Sequence, residues 1–189
     1  CVRMIRIRHI AIAIFFKRLG ILKAFRNIGS NIFYNCKNLT NVTLPDNVTS
    51  IGESAFSCCD NLVNISIPNN VTKIGEYAFY GCPGLTSVYI PQTVTSIADG
   101  AFCGCSSLKS VNLPDTIQSI GELTFSNCYE LENINIPNTV KSIGAHAFSG
   151  CNSLMSLVLP EGLETISDTL HESLETDHGS SSVHHPSHD

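Results

Sequence analysis

Nine cysteines stand among the 189 residues of the chain. Thiolates ligate metals, attack electrophiles and form disulfides. Two spacings invite such a reading. Cys58 and Cys59 are adjacent, and Cys103 and Cys105 flank a single glycine. A structural zinc site needs a second Cys-x-x-Cys pair or a Cys/His set at defined spacing. Neither motif has one, so no metal ligand is assigned. His171, His178, His184, His185 and His188 crowd the C-terminal segment. Such a tract binds transition metals loosely and is not a shaped site. His146, alone in its repeat, reads as solvated surface. No G-x-S-x-G, no H-E-x-x-H and no phosphate-binding glycine loop occurs. No catalytic residue and no cofactor is therefore assigned, and the chain reads as non-enzymatic.

The cysteines make sense once the chain is laid on itself with a shift of 23 residues. Cys36, Cys59, Cys82, Cys105, Cys128 and Cys151 then share one column. Phe33, Phe56, Phe79, Phe102, Phe125 and Phe148 share another, as do Leu39, Leu62, Leu85, Leu108, Leu131 and Leu154. Pro45, Pro68, Pro91, Pro114, Pro137 and Pro160 recur with the same period. So do Ile28, Ile51, Ile74, Ile97, Ile120, Ile143 and Ile166. A fixed period of this length is the signature of a stacked repeat architecture. Neighbouring column thiols would lie about one coil apart, which a disulfide geometry accepts. Disulfide frameworks use irregular spacings, however, and cysteine buries readily as a small apolar side chain. The column is read as a reduced packing ladder.

The unit reads I-G-x-x-A-F-x-x-C-x-x-L-x-x-V-x-I-P-x-x-V-x-x. In "LTSVYIP", Val88 and Ile90 alternate with Ser87 and Tyr89, the period of a half-buried strand. Pro91 ends it, since proline donates no ladder bond. "PQTV" and its equivalents are turns. "VTSIG" is a second extended piece. "EYAFYGC" is read as a helical turn, ended by Asn35, Gly81, Gly104, Asn127 or Gly150, residues that tolerate positive φ. One such coil has no interior, whereas stacked coils share one. The fold class expected is a β-rich solenoid with short strands, helical turns and little regular helix. Residues 28–165 hold six repeats, and residues 1–27 form a degenerate cap repeat. A remnant signal or anchor segment is the other reading of its "IAIAIFF". Residues 166–178 form a possible capping helix, and 179–189 a disordered Ser/His-rich tail.

Charge narrows the partners. The formal net charge is −5, and seven of the eleven basic residues lie in the first 26 positions. The repeats carry four lysines against eleven carboxylates, so they lack the basic stripe that nucleic acid requires. Glu53, Glu76, Asp99 and Glu122 recur near one position of the coil, as a solvated edge. The longest apolar run, Ile10–Phe16, falls short of the roughly 18–20 residues that span a bilayer.

These columns, above all A-F-x-x-C-x-x-L followed by V-x-I-P, resemble the BspA-type leucine-rich repeat. Ala98 in place of Gly and Thr124 in place of Ala are minor departures. The resemblance implies a right-handed leucine-rich-repeat solenoid and a non-enzymatic protein-binding role. It also implies a cell-surface or secreted location, with adhesion to host matrix or cell-surface proteins. An intracellular, cytoplasmic scaffold is the alternative. The strand face is where the residues themselves place a protein ligand. Its outward columns supply the candidate binding residues Thr43, Ser66, Ser87, Tyr89, Lys109, Asn112, Glu132 and Asn135, with Tyr89 as anchor. Asn38, Asn41, Asn47, Asn64 and Asn70 fall in N-x-S/T sequons. These would accept glycans in a secreted eukaryotic protein, though the same residues also suit turns and polar strand faces. The oligomeric state is not legible.

Overall fold

The structure is a computed structural model. It describes residues 26–167 and, at the level of the backbone, Ser182–His184. Residues 1–25 of the cap repeat expected at 1–27, the part of the expected helix beyond residue 167 and the rest of the tail lie outside the described residues.

Parallel pairing with a constant offset of 23 residues builds the molecule. The two-residue strands β1 (Asn27–Ile28), β3 (Ser50–Ile51), β5 (Lys73–Ile74), β7 (Ser96–Ile97), β9 (Ser119–Ile120), β11 (Ser142–Ile143) and β13 (Thr165–Ile166) form one seven-stranded ladder. Seven rungs bound six coils. Ile28 pairs with Ile51, Ile51 with Ile74, and so on to Ile166. Ile166, expected at the start of a capping helix, is in a strand instead.

The "SVY" segments form the other strand side. These are β2 (Asn41–Thr43), β4 (Asn64–Ser66), β6 (Ser87–Tyr89), β8 (Ser110–Asn112), β10 (Asn133–Ile134) and β12 (Ser156–Val158). Strand β2 pairs with β4, and β6, β8 and β10 pair in that order. The backbone of β14 (Ser182–His184) pairs in parallel with β12. The fold is a parallel β-solenoid.

The inward columns form one core. Phe56, Phe79, Phe102, Phe125 and Phe148 are fully buried, as are Leu62, Leu85, Leu108 and Leu131. Consecutive Phe rings stack face to face along the axis. Their centroids lie 4.9 Å apart for Phe33–Phe56 and 5.7 Å for Phe102–Phe125. Interplanar angles stay between 4° and 16°. This is the offset-stacked separation that aromatic rings favour.

The "EYAFYGC" segment is not a helix. Its N–H groups alternate between two partners. Tyr77, Phe79 and Gly81 donate to Asp99, Ala101 and Cys103 of the next coil, whereas Ala78 and Tyr80 close turns onto Gly75 and Tyr77. A helix would direct all of them to the residue four before. Inter-coil bonding takes every second donor and leaves a chain of turns. Left-handed residues punctuate it in two columns. One column is Asn35, Cys58, Gly81, Gly104, Asn127 and Gly150, and the other is Asn31, Ser54, Tyr77, Gly100, Leu123 and His146. The first matches the expected turn-enders, with Cys58 added.

Replacing Phe102 with Ala should lower stability by roughly 3–5 kcal/mol in a urea titration, as for any buried aromatic. Tyr89→Ala, on the exposed face, should lower it by less than about 0.5 kcal/mol. Gly81→Ala isolates the backbone. Gly81 has φ +62°, and an added Cβ would meet nothing closer than the Cys58 sulfur at 3.7 Å. Left-handed geometry alone should then cost about 1 kcal/mol. Equal losses for Phe102→Ala and Tyr89→Ala would mean that the two faces are exchanged.

Candidate functional site

Every predicted strand-face residue is exposed: Thr43, Ser66, Ser87, Tyr89, Lys109, Asn112, Glu132 and Asn135. Alternation within each strand does this. Val88 and Val111 point in while Ser87, Tyr89, Ser110 and Asn112 point out. Register brings some of them together. Thr43 lies beside Ser66, Ser87 beside Ser110, and Tyr89 beside Asn112. Asn64 donates its side-chain amide to the Asn41 oxygen at 3.2 Å, one coil along. Asn135 follows the end of β10 and is not part of the ladder. Lys109 bonds Glu132, one coil along, only through the backbone, its carbonyl accepting the Glu132 N–H at 3.2 Å. Its ammonium reaches Glu130 at 3.7 Å. The face is therefore hydroxyl- and amide-rich and nearly neutral, carried by separate short sheets, with Tyr89 54 % exposed near its middle.

The cysteine column is interior. Cys59, Cys82, Cys105, Cys128 and Cys151 are buried, and all eight described cysteines are free thiols. Each of these five column thiols has a structural task beyond filling space. Its S–H donates to a phenylalanine carbonyl of the preceding coil. Cys82 reaches Phe56 at 3.1 Å, Cys105 reaches Phe79 at 3.2 Å and Cys128 reaches Phe102 at 3.3 Å. Cys59 and Cys151 bond Phe33 and Phe125 in the same way. Burial holds the Cys105 and Cys128 thiols well above the ordinary range, and pushes Cys151 up to about 12. The hydrogen bond with the Cys82 thiol, then burial, raises Cys59. Thiols so shielded are poor nucleophiles. Among the described residues, no group of three or more His, Cys, Asp and Glu side chains could hold a metal ion. His146 is half-buried, with φ +54°, and is not the fully solvated side chain expected.

A second surface feature escaped the sequence reading. On the turn side of the coils, Tyr34, Ser54, Ser57, Cys58, Tyr77 and Tyr80 line an open depression of about 350 Å³. Tyr34 and Tyr80 occupy the same position of the first and third coils. The second coil carries Ser57 there, so its small side chains form a floor between tyrosine walls. Tyr77 packs edge to face on Tyr80, with centroids 5.8 Å apart at 83°. The Tyr77 ring lies over Gly100 of the next coil, where any Cβ would collide with it. The signal was present in the columns, as aromatic residues at 34 and 80 with serine at 57 between them.

Short parallel strands on a shared Phe/Leu/Ile core define this as a leucine-rich-repeat solenoid. The sequence profile of the BspA-type leucine-rich-repeat region, six copies, matches residues 14–97 and 72–178, and the chain belongs to that family. Among solved structures, a leucine-rich-repeat protein from Bacteroides ovatus is 31% identical with a TM-score of 0.60. The match covers 73% of this chain and 42% of that one. One from Eubacterium ventriosum is 27% identical with a TM-score of 0.54, covering 70% and 42%. The T. pallidum leucine-rich-repeat protein is 34% identical with a TM-score of 0.48, covering 72% and 53%. The chain thus spans about half or less of the length of each. A comparison with curated proteins finds no match. No helix among the described residues is long and apolar enough to cross a membrane.

The raised thiols tie stability to pH with a definite sign. Unfolded thiols ionise near the ordinary value of about 8.5, while folded Cys151 holds its proton to about 12. The unfolded chain therefore binds fewer protons between these values, and stability falls as pH rises through that window. Urea unfolding under reducing conditions should show a flat free energy up to about pH 8 and a decline above it. Cys151→Ala should make the decline shallower. A free energy that rises from pH 8 to 10 would contradict the buried, protonated column.

Proposed function

We propose that the chain is a non-enzymatic protein-binding module that holds a partner protein against its strand face. The carrying observation is the exposed, nearly neutral set from Thr43 to Asn112, carried on short parallel strands whose inward residues pack in the core, with Asn135 just beyond the end of β10. Small hydroxyl and amide groups hydrogen-bond adaptably. A rigid, half-exposed tyrosine is the side chain type that concentrates interface energy. Tyr89, flanked by Ser87 and Asn112, is therefore the anchor, with Ser66, Lys109 and Glu132 at its margins. Family membership supports a role at the cell surface or outside the cell, with host matrix or cell-surface proteins as partners.

One observation favours a second reading, an intracellular scaffold. Free thiols in this number suit a reducing compartment. Protease shaving of intact cells, followed by detection of the protein, separates the two locations. Loss of the protein on shaving supports the surface, and full protection supports the scaffold.

Binding to a panel of purified extracellular-matrix and cell-surface proteins at physiological salt tests the face. Tyr89→Ala should weaken the bound partner about tenfold, the loss expected for a hot-spot side chain. Its unfolding midpoint should not move. Retained affinity in Tyr89→Ala combined with Asn112→Ala would remove the strand face as the binding surface.

A further inference from the structure

We propose that the backbone of Ser182–His184 is a strand cap, which lies along the edge of β12 and closes that edge to strands from other chains. The inference does not rest on the strand-face reading, because it concerns the backbone edge of β12 and not the outward side chains.

Three observations carry it. The first is pairing. Strand β12 stands in a two-stranded sheet with β14, apart from the sheet of β6, β8 and β10. Ser182 lies beside Ser156, Val183 beside Leu157 and His184 beside Val158, all in parallel. Each strand-face pair between coils has this same geometry, so the segment stands where the strand of a further coil would stand. The second is sequence. The offset across this pair is 26 residues, against 23 between the coils. Under that offset Ser182, Val183 and Pro186 fall on Ser156, Leu157 and Pro160, so the serine, aliphatic and proline columns of the strand are kept. His185 falls on Leu159, in a column that holds Leu or Ile in all six coils. Histidine there lacks the apolar group on which a following coil would pack, which suits a cap and not one more copy of the repeat.

The third is burial. Core residues beside an open edge are partly exposed, and Leu39 and Val42 of the first coil are only partly buried. In the sixth coil Leu154 and Leu157 hold the same two positions, and they are 5 % and 1 % exposed. The core of the sixth coil is therefore covered on the side away from β10, the side on which β14 pairs. A bare strand edge presents unpaired N–H and C=O groups and recruits strands from other chains. Strand β14 takes up those groups from within the chain. A strand from a second copy would have to compete with a segment already attached, which acts at an effective concentration on the order of millimolar.

Hydrogen exchange of the full chain, read by mass spectrometry on peptic fragments, tests the cap. The amides of Ser182–His184 should exchange at least about tenfold more slowly than those of a free chain, and the amides of β12 should be protected with them. Alternate N–H groups of a strand face its neighbour, so proline at both 182 and 183 removes a donor to β12 in either phase. Ser182→Pro with Val183→Pro should abolish protection of the segment and speed exchange in β12 about tenfold, while β6 and β8 keep their rates. Val183→Thr keeps the N–H and the β-branched shape, and should leave every rate near that of the parent chain. Dilution from about 100 µM to about 1 µM should change nothing, because a cap within the chain does not depend on concentration.

Exchange of Ser182–His184 at the free-chain rate in the parent chain would overturn the proposal. So would unchanged exchange of β12 in the double-proline variant. Protection that disappears on dilution would assign the strand to a second copy of the chain and overturn the cap. If the double-proline variant unfolds as a whole, the parent chain decides alone, through protection of Ser182–His184 and its independence of concentration.

Discussion

Everything in this molecule depends on one backbone arrangement, the in-register hydrogen bonding of each coil to the next. A single 23-residue coil encloses nothing and leaves its donors unpaired. Stacked at constant offset, Ile28 meets Ile51 and Ile51 meets Ile74. Side chains of the same type then stand directly above one another. The consequence is strict. Whatever residue faces inward in one coil must fit between copies of itself, so the interior tolerates little variation and the exterior tolerates much.

The phenylalanine and cysteine columns follow from that constraint. Rings at a common position, spaced by the strand repeat, fall into parallel offset stacks. The cysteine slot is narrower and meets a phenylalanine carbonyl of the coil before it. Phe102 O already accepts the Cys105 N–H at 3.1 Å, and its remaining lone pair receives the Cys128 thiol. A carbonyl accepts two such bonds. Alanine would fill the slot without donating, and a larger side chain would push the coils apart. The thiol that first suggested redox or metal chemistry acts as a small, weakly donating inter-coil contact.

The inward columns, both strand segments and the turn-ending glycines were legible in the sequence, because each is a repeated residue type with a single physical meaning. Alternation at Val88 and Ile90 could mean only a half-buried strand. Gly81 and Gly104 could hardly recur before a cysteine unless positive φ was needed there. The turn itself was misread. "AFYGC" has the composition of a helical turn, and the competing demand of the neighbouring coil for every second N–H leaves no mark in one repeat. The second left-handed column was hidden for a similar reason. Asn31 and Gly100 suit that geometry, but Tyr77, Leu123 and His146 do not. At Tyr77 and Leu123 the N–H bond to the next coil, to Asp99 and Ala145, holds that geometry against intrinsic preference. The tyrosine-walled depression went unseen because it depends on contrast between coils. Averaging over the period conceals the contrast that makes Ser57 small between two tyrosines.

That contrast shows where function can reside on a repeat array. The pairing that makes the core uniform also sets every outward side chain on a grid of known spacing. On the strand face most coils offer similar small polar groups, a broad and repetitive surface from which Tyr89, Met155 and Val158 depart as large exposed side chains. On the turn side the reverse holds. Large residues at 34, 77 and 80 surround small ones at 54, 57 and 58, and a concave site arises from a difference of a few atoms between adjacent coils. Its floor belongs to the same turn whose alternate N–H groups are committed to the next coil. The backbone beneath the tyrosines is therefore rigid even though the segment carries no helix or strand. A depression built on such a segment is held open by the stacking itself, as the Tyr77 ring over Gly100 illustrates. Specificity in a solenoid of this kind is set by which coils break the outward pattern, while the inward pattern keeps them in place to do so.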